Sequence, residues 1–392
     1  MQNVKHIAYV IPTLDRIGGA EQQVTLLATG LAMRGWRVSI IALAGAGGDV
    51  AQKLQSGGIT FRSLDMRKGL VDPRGWFRLN AWIKGDRPDI VHAHLPHASL
   101  LARWSRLAAP VRILIDTIHS PATGGLSRRL GYRMSTALPD VVTAVSHAAG
   151  DAWLNSGTVN ERRLAIIPNG LDVDRWKRDE DTRQAKRARL GLSKEFLWLA
   201  VGRLDPVKDH ATLLRAFKLL TTGSRLVIVG DGRLRDQLLS LVKELGLSDR
   251  VYLPGFQTEV LPWMCAADGF VLSSQWEGLP MALLEAGACL LPAVTTDIRG
   301  AREVLPDSQR DRAVSYGDPT ALAAAMRGLM CTPDMERREL GREMRKSICE
   351  RFSLNAVLNQ WENLYRLQLE KNAQPARFGT PDSTLARTLQ LQ

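Results

Sequence analysis

The chain has 392 residues, 45% of them hydrophobic, and its 52 Lys and Arg against 40 Asp and Glu give a formal net charge of +12. That length and apolar content exclude a disordered chain and fit two or three globular domains with sizeable cores. Residues 1–5 lack the charged and apolar regions of a secretory signal, and no apolar run reaches the roughly eighteen residues needed to span a bilayer, so a cytoplasmic protein is expected.

Taken in chain order, His6–Ile11 reads as a buried strand, followed by a helix with Val24, Leu27, Ala28 and Leu31 on one face and Gly35 as its stop. The turn between them holds Gly18, Gly19 and Glu21. Glycines there let backbone approach a ligand and Glu21 complements the helix N-terminus, although an ordinary tight turn has the same composition and the GxGxxG spacing is absent. Further strands at 37–43, 89–93, 111–117 and 141–145 alternate with helical or loop segments, as in a parallel doubly wound sheet. His119 follows the strand at Ile113–Ile118, where a histidine is either a local hydrogen-bonding residue or a catalytic one. His92, His94 and His97 have the alternation of a cation grip, but no cysteine or carboxylate cluster accompanies them, and polar residues lining a domain edge are the simpler reading. These elements define a first domain over residues 1–170.

A charged linker is expected at 171–194, and the strand pattern then restarts at Phe196–Val201, 226–229, 251–253, 270–272 and 293–296, giving a second domain over 195–354. A helix is expected at 355–371. The polar, Pro- and Gly-containing tail at 372–392 is expected to be disordered. Cys265, Cys289, Cys331 and Cys349 stand singly without a CxxC pair, which fits reduced thiols and argues against disulfides or structural zinc.

Two segments of the second domain carry chemistry. The strand Phe196–Val201 runs into a loop holding Arg203 and Lys208, and ligands of open α/β sheets bind outside the carboxyl ends of strands, where such cations neutralise phosphates. Downstream, Glu277 and Glu285 lie eight residues apart around Gly278, Leu279, Pro280 and Met281. Pro280 fits the first position of a helix, so one carboxylate precedes the helix N-terminus and the other lies more than a turn inside. The helix end attracts an anion between them, which suits a nucleotide diphosphate-sugar. Two solvated surface acids are the plain alternative.

Together these segments resemble a retaining glycosyltransferase of family 4, the glycosyl transferases group 1 of bacterial surface-polysaccharide type. The resemblance rests on Gly18-Gly19-Ala20-Glu21, Thr117-Ile118-His119, Val145-Ser146, Ile167-Pro168-Asn169-Gly170, the Arg203 and Lys208 loop, Gly230-Asp231-Gly232, Pro254-Gly255-Phe256 and the Glu277-to-Glu285 spacing, in that order over about residues 5 to 305. It implies the α/β GT-B fold, two Rossmann-like doubly wound parallel-sheet domains facing across a cleft, with the 355–371 helix returning to the N-terminal domain. It also implies transfer from a nucleotide diphosphate-sugar, UDP-sugar favoured, to a hydroxyl of a glycan or polyprenyl-linked acceptor with retention. By resemblance Arg203 and Lys208 stabilise the departing diphosphate, Glu277 holds sugar hydroxyls, Glu285 binds the ribose and His119 contacts the sugar. Gly18, Gly19, Phe256 and the backbone at Gly278, Leu279, Pro280 and Met281 border the donor. Leu279 departs from the family pattern, where phenylalanine often stands, and this leaves the sugar open.

No cofactor and no metal are expected. Asp172-Val173-Asp174 has the DxD spelling that other glycosyltransferase folds use for manganese, but it lies in the linker, and Arg203 and Lys208 take over the balancing of diphosphate charge. The charge is uneven: residues 62–133 hold 13 Lys and Arg against 5 Asp and Glu, interleaved with Trp76, Phe77, Trp82, Trp104, Leu126, Leu130 and Tyr132. Arg128, Arg129 and Arg133 then mark either an anionic-membrane or acceptor surface, peripheral on the cytoplasmic face of the inner membrane, or a merely solubilising face over core aromatics. Competing readings are a nucleotide-sugar epimerase of similar fold, which needs no acceptor, and a basic nucleic-acid-binding protein, which needs neither glutamate. No nucleic-acid module is present, so no nucleic-acid partner is expected.

Overall fold

The computed structural model describes residues 4–15, 18–67, 72–220 and 223–373. The chain divides into two compact units, Met1–Gly170 with Leu354–Gln392, and Leu171–Ser353.

The first unit runs β1 (His6–Ile11), α1 (Gly19–Met33), β2 (Arg37–Ala42), α2 (Gly48–Ser56), β3 (Thr60–Ser63), α3 (Pro73–Asp86), β4 (Ile90–His94), α4 (Pro96–Ser105), β5 (Ile113–Ile118), α5 (Leu126–Met134), β6 (Val141–Ala144), α6 (His147–Asn155) and β7 (Leu164–Ile166). Its sheet is parallel throughout, in the order β3-β2-β1-β4-β5-β6-β7. The central strands β1, β4 and β5 are buried at every residue, as strands covered by helices on both faces must be. β1 accordingly reads as an apolar run from Ile7 to Ile11, whereas β4 and β5 bury His92, His94, Asp116 and Thr117 among their apolar residues. The outer strands β3 and β7 were not among the expected strands, because they hold only four and three residues and β3 is half exposed.

The chain returns to this unit through α15 (Leu354–Lys371), numbered in chain order after the helices of the second unit. Val357, Leu358, Trp361, Leu364, Tyr365 and Leu369 recur at helical spacing and are buried in one cluster with β1 and α1. Each such side chain contributes about 1.5–3 kcal/mol by leaving water. Glu362 fixes the docking, accepting from Arg34 Nη1 at 2.6 Å and from Trp36 Nε1 at 2.9 Å.

The second unit runs α7 (Glu180–Arg189), β8 (Phe196–Val201), α8 (His210–Lys218), β9 (Ser224–Val229), α9 (Arg235–Glu244), β10 (Val251–Gly255), α10 (Leu261–Ala266), β11 (Gly269–Leu272), α11 (Met281–Ala288), β12 (Ala293–Thr295), α12 (Arg299–Arg302), α13 (Pro319–Cys331) and α14 (Asp334–Phe352). Its five parallel strands lie in the order β10-β9-β8-β11-β12. The stretch 171–194 is not a bare linker, because α7 packs on this unit. Arg183 and Arg187 both bind the Asp268 carboxylate, at 2.5 and 2.9 Å, and Arg183 also donates to the carbonyls of Cys265, Ala266 and Ala267. The charges of that stretch therefore act as anchors.

Pro280 is not the first helical residue. Its ψ of 93° keeps it extended as the N-cap, and the helix begins at Met281. The tail expected to be disordered lies, beyond Ala373, outside the described residues. Among the described residues no helix is long and apolar enough to cross a membrane.

Candidate active site

In the second unit the Arg203 and Lys208 loop leaves β8 and the glutamate segment leaves β11, strands that are neighbours in the sheet. The two loops are stitched together by hydrogen bonds. Ser273 Oγ donates to the Lys208 carbonyl at 2.8 Å, and Gln275 N donates to the Val207 carbonyl at 2.8 Å. This brings Lys208 Nζ onto Glu277 Oε1 in an ion pair whose side chains are 19% and 13% exposed. Ser274 Oγ donates to the same carboxylate oxygen at 2.8 Å, and Thr296 Oγ1 holds the Ser274 carbonyl at 2.6 Å. Gly300 lies under the segment, where a Cβ would come within 2.7 Å of the Glu277 and Gly278 carbonyl oxygens. Only a glycine allows that approach.

Glu277 thus stands in the loop before α11 and Glu285 is the fifth residue of that helix. Burial pushes the Glu285 carboxyl up to about 8, against the opposing pull of the Arg175 charge. Gly278, Leu279 and Pro280 are buried, whereas Glu277 and Met281 on either side of them keep partial exposure. Arg203 is the more exposed of the two cations: its side chain is 82% exposed and pairs with Asp205 at 3.0 Å. Phe256 is 70% exposed, directly after Gly255 at the end of β10. On the neighbouring loop Gly230 has φ of +141°, and a Cβ there would collide with the Gly202 carbonyl. The loops after β8 and β9 can therefore meet backbone to backbone.

The first unit places Gly18 as the N-cap of α1 and Gly19 as its first residue, and Glu21 Oε2 accepts the Gly18 N–H at 3.1 Å. His119 follows β5 and is half buried. Its Nε2 lies 2.9 Å from Nδ1 of the fully buried His94, and burial pushes the His119 imidazole down to about 4. The neighbouring His92 is held at both nitrogens, by the Tyr365 hydroxyl at 2.8 Å and by Thr117 Oγ1 at 2.6 Å. Two of the histidines weighed as a cation grip are therefore engaged in protein hydrogen bonds, and no group of three or more metal-type ligands occurs among the described residues. Asp172 caps its own turn, accepting the N–H groups of Asp174 and Arg175 at 3.2 and 3.1 Å, which gives the DxD sequence a structural role.

The aromatic and aliphatic side chains of the basic stretch divide between core and surface. Tyr132 is buried and Arg103 is fully buried beneath α5, while Leu126, Leu130, Phe77 and Trp104 are exposed. Helix α5 carries Arg128, Arg129 and Arg133, and Leu126, Leu130 and Met134 follow each other at four-residue steps along it, 82%, 56% and 66% exposed. Arg103 secures this helix from below. It pairs with Asp116 at 2.5 Å and reaches Ser135 Oγ at 3.2 Å, and its guanidinium lies 4.4 Å from the Tyr132 ring centre.

Reasoning from sequence did not single out Ser274, Thr296, Gly300 or Tyr365, and met His94 only as part of the cation grip. A signal for His94 was available: alternation along β4 and parallel pairing with β5 set it opposite Thr117, two residues before His119.

Two family models match the chain in succession, Glycosyltransferase Family 4 over residues 17–175 and Glycosyl transferases group 1 over residues 182–347. Among curated relatives, a Campylobacter jejuni N-acetylgalactosamine-N,N'-diacetylbacillosaminyl-diphospho-undecaprenol 4-alpha-N-acetylgalactosaminyltransferase is 37% identical over 153 residues, which span 39% of this chain and 40% of that protein. An Escherichia coli UDP-Gal:alpha-D-GlcNAc-diphosphoundecaprenol alpha-1,3-galactosyltransferase is 26% identical over 310 residues, 76% of this chain and 80% of that one. The solved structure of Anabaena HepE in complex with UDP-glucose superposes with a TM-score of 0.81 at 20% identity, covering 92% of this chain and 99% of HepE. A glycosyltransferase from Rickettsia africae gives 0.80 at 18% identity, covering 94% and 99%. With the two parallel α/β units and the successive family matches, the chain is a family 4 glycosyltransferase of the GT-B fold.

Proposed function

We propose that the chain transfers a sugar from a UDP-sugar to a hydroxyl of a lipid-linked or polysaccharide acceptor, with retention of anomeric configuration and without a divalent metal. The observation that carries this reading is the Lys208 and Glu277 pair, held by Ser274 at the loop preceding α11, with Glu285 one turn further on. Pairing holds both charges in place. When a diphosphate arrives, the ammonium exchanges the carboxylate for phosphate oxygens, and Glu277 is freed to accept sugar hydroxyls. The exposed Arg203 guanidinium supplies a second cation with the reach to follow the leaving group. The backbone from Gly278 to Met281 and the positive end of α11 add anion contacts, and Glu285 in its ionised form accepts the ribose hydroxyls. Gly18, Gly19 and Phe256 border the donor, and His119 contacts the sugar.

The donor assignment is supported by HepE, solved with UDP, with UDP and glucose, and with UDP-glucose. The acceptor assignment is supported by the two relatives whose names specify diphosphoundecaprenol-linked acceptors. A peripheral position on an anionic membrane surface is supported by α5, whose exposed Leu126, Leu130 and Met134 accompany Arg128, Arg129 and Arg133. An amphipathic helix of this kind lies in the headgroup layer.

A thermal-shift panel of UDP, GDP, ADP and CMP, each with and without EDTA, tests the reading. UDP alone should raise the melting temperature, since a ligand of the folded state stabilises it. A selective response to another nucleotide, or loss of UDP-sugar turnover in EDTA, contradicts the donor or the metal assignment respectively.

A further inference from the structure

A charged cavity of about 480 Å³ opens in the second unit at the far end of its sheet from the donor segment, and Leu290 and Pro292 are the only uncharged residues that line it. Asp268, also in its wall, stands immediately before β11, and Pro292 immediately before β12. The cavity therefore lies at the amino ends of these strands, whereas the loops of Lys208 and Glu277 leave carboxyl ends. Its volume is in the range of small-molecule sites, and its lining suits a ligand that is mostly charge.

Five guanidiniums line it, those of Arg178, Arg183, Arg337, Arg338 and Arg342, against the three carboxylates of Glu180, Asp268 and Asp334, a surplus of two positive charges. The carboxylates are already shared. Asp268 is divided between Arg183 at 2.5 Å and Arg187 at 2.9 Å, Asp334 between Arg337 and Arg338, both at 2.8 Å, and Glu180 lies 3.7 Å from Arg178 and from Arg183. Two of the arginines are committed to the fold: Arg183 donates to three carbonyls beside Asp268, and Arg337 to the carbonyls of Met330 and Thr332.

The other three are not. Arg338 and Arg342 meet their carboxylate partners in pairs that are more than half exposed on both sides, and such pairs hold a side chain only weakly. Arg178 has the least satisfied guanidinium. Its side chain is only 28% exposed, it makes no hydrogen bond among the described residues, and its ion pair with Glu180 is too long to be one. Burial first, and the Arg183 charge second, push its pKa down from the ordinary guanidinium value. Donors held in a half-buried place without acceptors cost free energy that an anion would return.

We infer that this cavity is a binding site for a small oxyanion with two or more negative charges, of the phosphate or diphosphate class, held by Arg178 and by Arg338 and Arg342 swung in from the rim. Such an anion balances the surplus charge, and planar guanidinium forks match its oxygens in pairs. A free anion and the terminal phosphate of a metabolite present the same oxygens. The site shares no residue with the donor site, so it does not depend on the proposed function.

Calorimetric titration of the full-length chain with inorganic pyrophosphate and, separately, with glycerol 3-phosphate tests the site, in EDTA and against sodium chloride at equal ionic strength. Binding of either beyond the chloride control is expected, pyrophosphate standing for the free anion and glycerol 3-phosphate for the esterified one. Arg178→Gln should weaken that binding about ten- to a hundredfold, through lost charge-assisted hydrogen bonds. Arg338→Gln, at an exposed position, should weaken it less. Pyrophosphate also resembles part of the donor, so Arg203→Gln is the contrast and should retain the binding. No binding of either anion beyond chloride, or a loss in Arg203→Gln with none in Arg178→Gln, overturns the inference. Should Arg178→Gln fail to fold, Arg338→Gln decides alone. Failure of UDP to bind would count against the proposed donor and leave this result standing.

Discussion

Glu285 makes donor affinity depend on pH in a way that a surface glutamate would not. Its carboxyl, pushed up to about 8 by burial, must ionise to accept ribose hydroxyls. With that value the ionised fraction rises about ninefold from pH 6 to 7, about fivefold from 7 to 8 and less than twofold beyond, and the UDP affinity should rise in proportion. The UDP phosphate also titrates near pH 6. The informative quantity is thus the difference between wild type and Glu285→Gln, which keeps the size of the side chain and removes the titration. Calorimetry at pH 7 in two buffers of different ionisation enthalpy should show release of about 0.9 proton more by wild type than by the variant. At pH 9 the variant should bind UDP about ten- to a hundredfold more weakly, the loss of charge-assisted hydrogen bonds. The stability effect has the opposite sign. A carboxyl raised in the folded state contributes stability that is full below its ordinary value of 4.5 and is lost as pH rises through about 8. Unliganded Glu285→Gln should therefore melt at or above wild type at pH 8.5. Equal pH slopes for the two proteins, with equal proton release, would refute the reasoning.

Lys208→Met leaves Glu277 charged and unpaired in a mostly buried place, so the melting temperature should fall and UDP-sugar turnover should drop about a hundredfold or more; unchanged kcat would deny Lys208 its part in leaving-group stabilisation. Asp116→Asn breaks a pair buried at both ends, and chemical denaturation of the first unit should show a loss of about 3–5 kcal/mol. A loss below about 1 kcal/mol would mean that Arg103 finds another partner. Replacing Arg128, Arg129 and Arg133 by Glu should abolish sedimentation with phosphatidylserine vesicles at low salt while UDP binding persists. Vesicle binding equal to wild type would end the membrane proposal.

The fold was largely readable from the sequence, because β1, β4 and β5 are long enough and apolar enough to stand out as buried strands. What escaped was short or relational. β7 has three residues, too few for a periodicity to appear. The charges of α7 suggested a solvated linker, and only the three-dimensional position of Asp268 turns Arg183 and Arg187 into anchors. Around the site, residue types and spacing pointed to Lys208 and Glu277 separately. That they form a pair depends on a contact across 69 residues, set by which strands are neighbours. The Glu285 shift arises from the packing around it and has no trace in the local sequence. His94 needed the register of β4 on β5 before its relation to His119 could be seen.

The route of the chain through its two units also sets the order in which they mature. The second unit is one uninterrupted stretch, Leu171–Ser353, whereas the first lacks α15 until the ribosome has synthesised the region around Trp361 and Tyr365. Vectorial synthesis normally lets the N-terminal domain fold first. Here the nascent N-terminal half must wait with an open apolar face beside α1 and β1, so chaperone dependence should concentrate in that interval and ease once the closing helix leaves the exit tunnel.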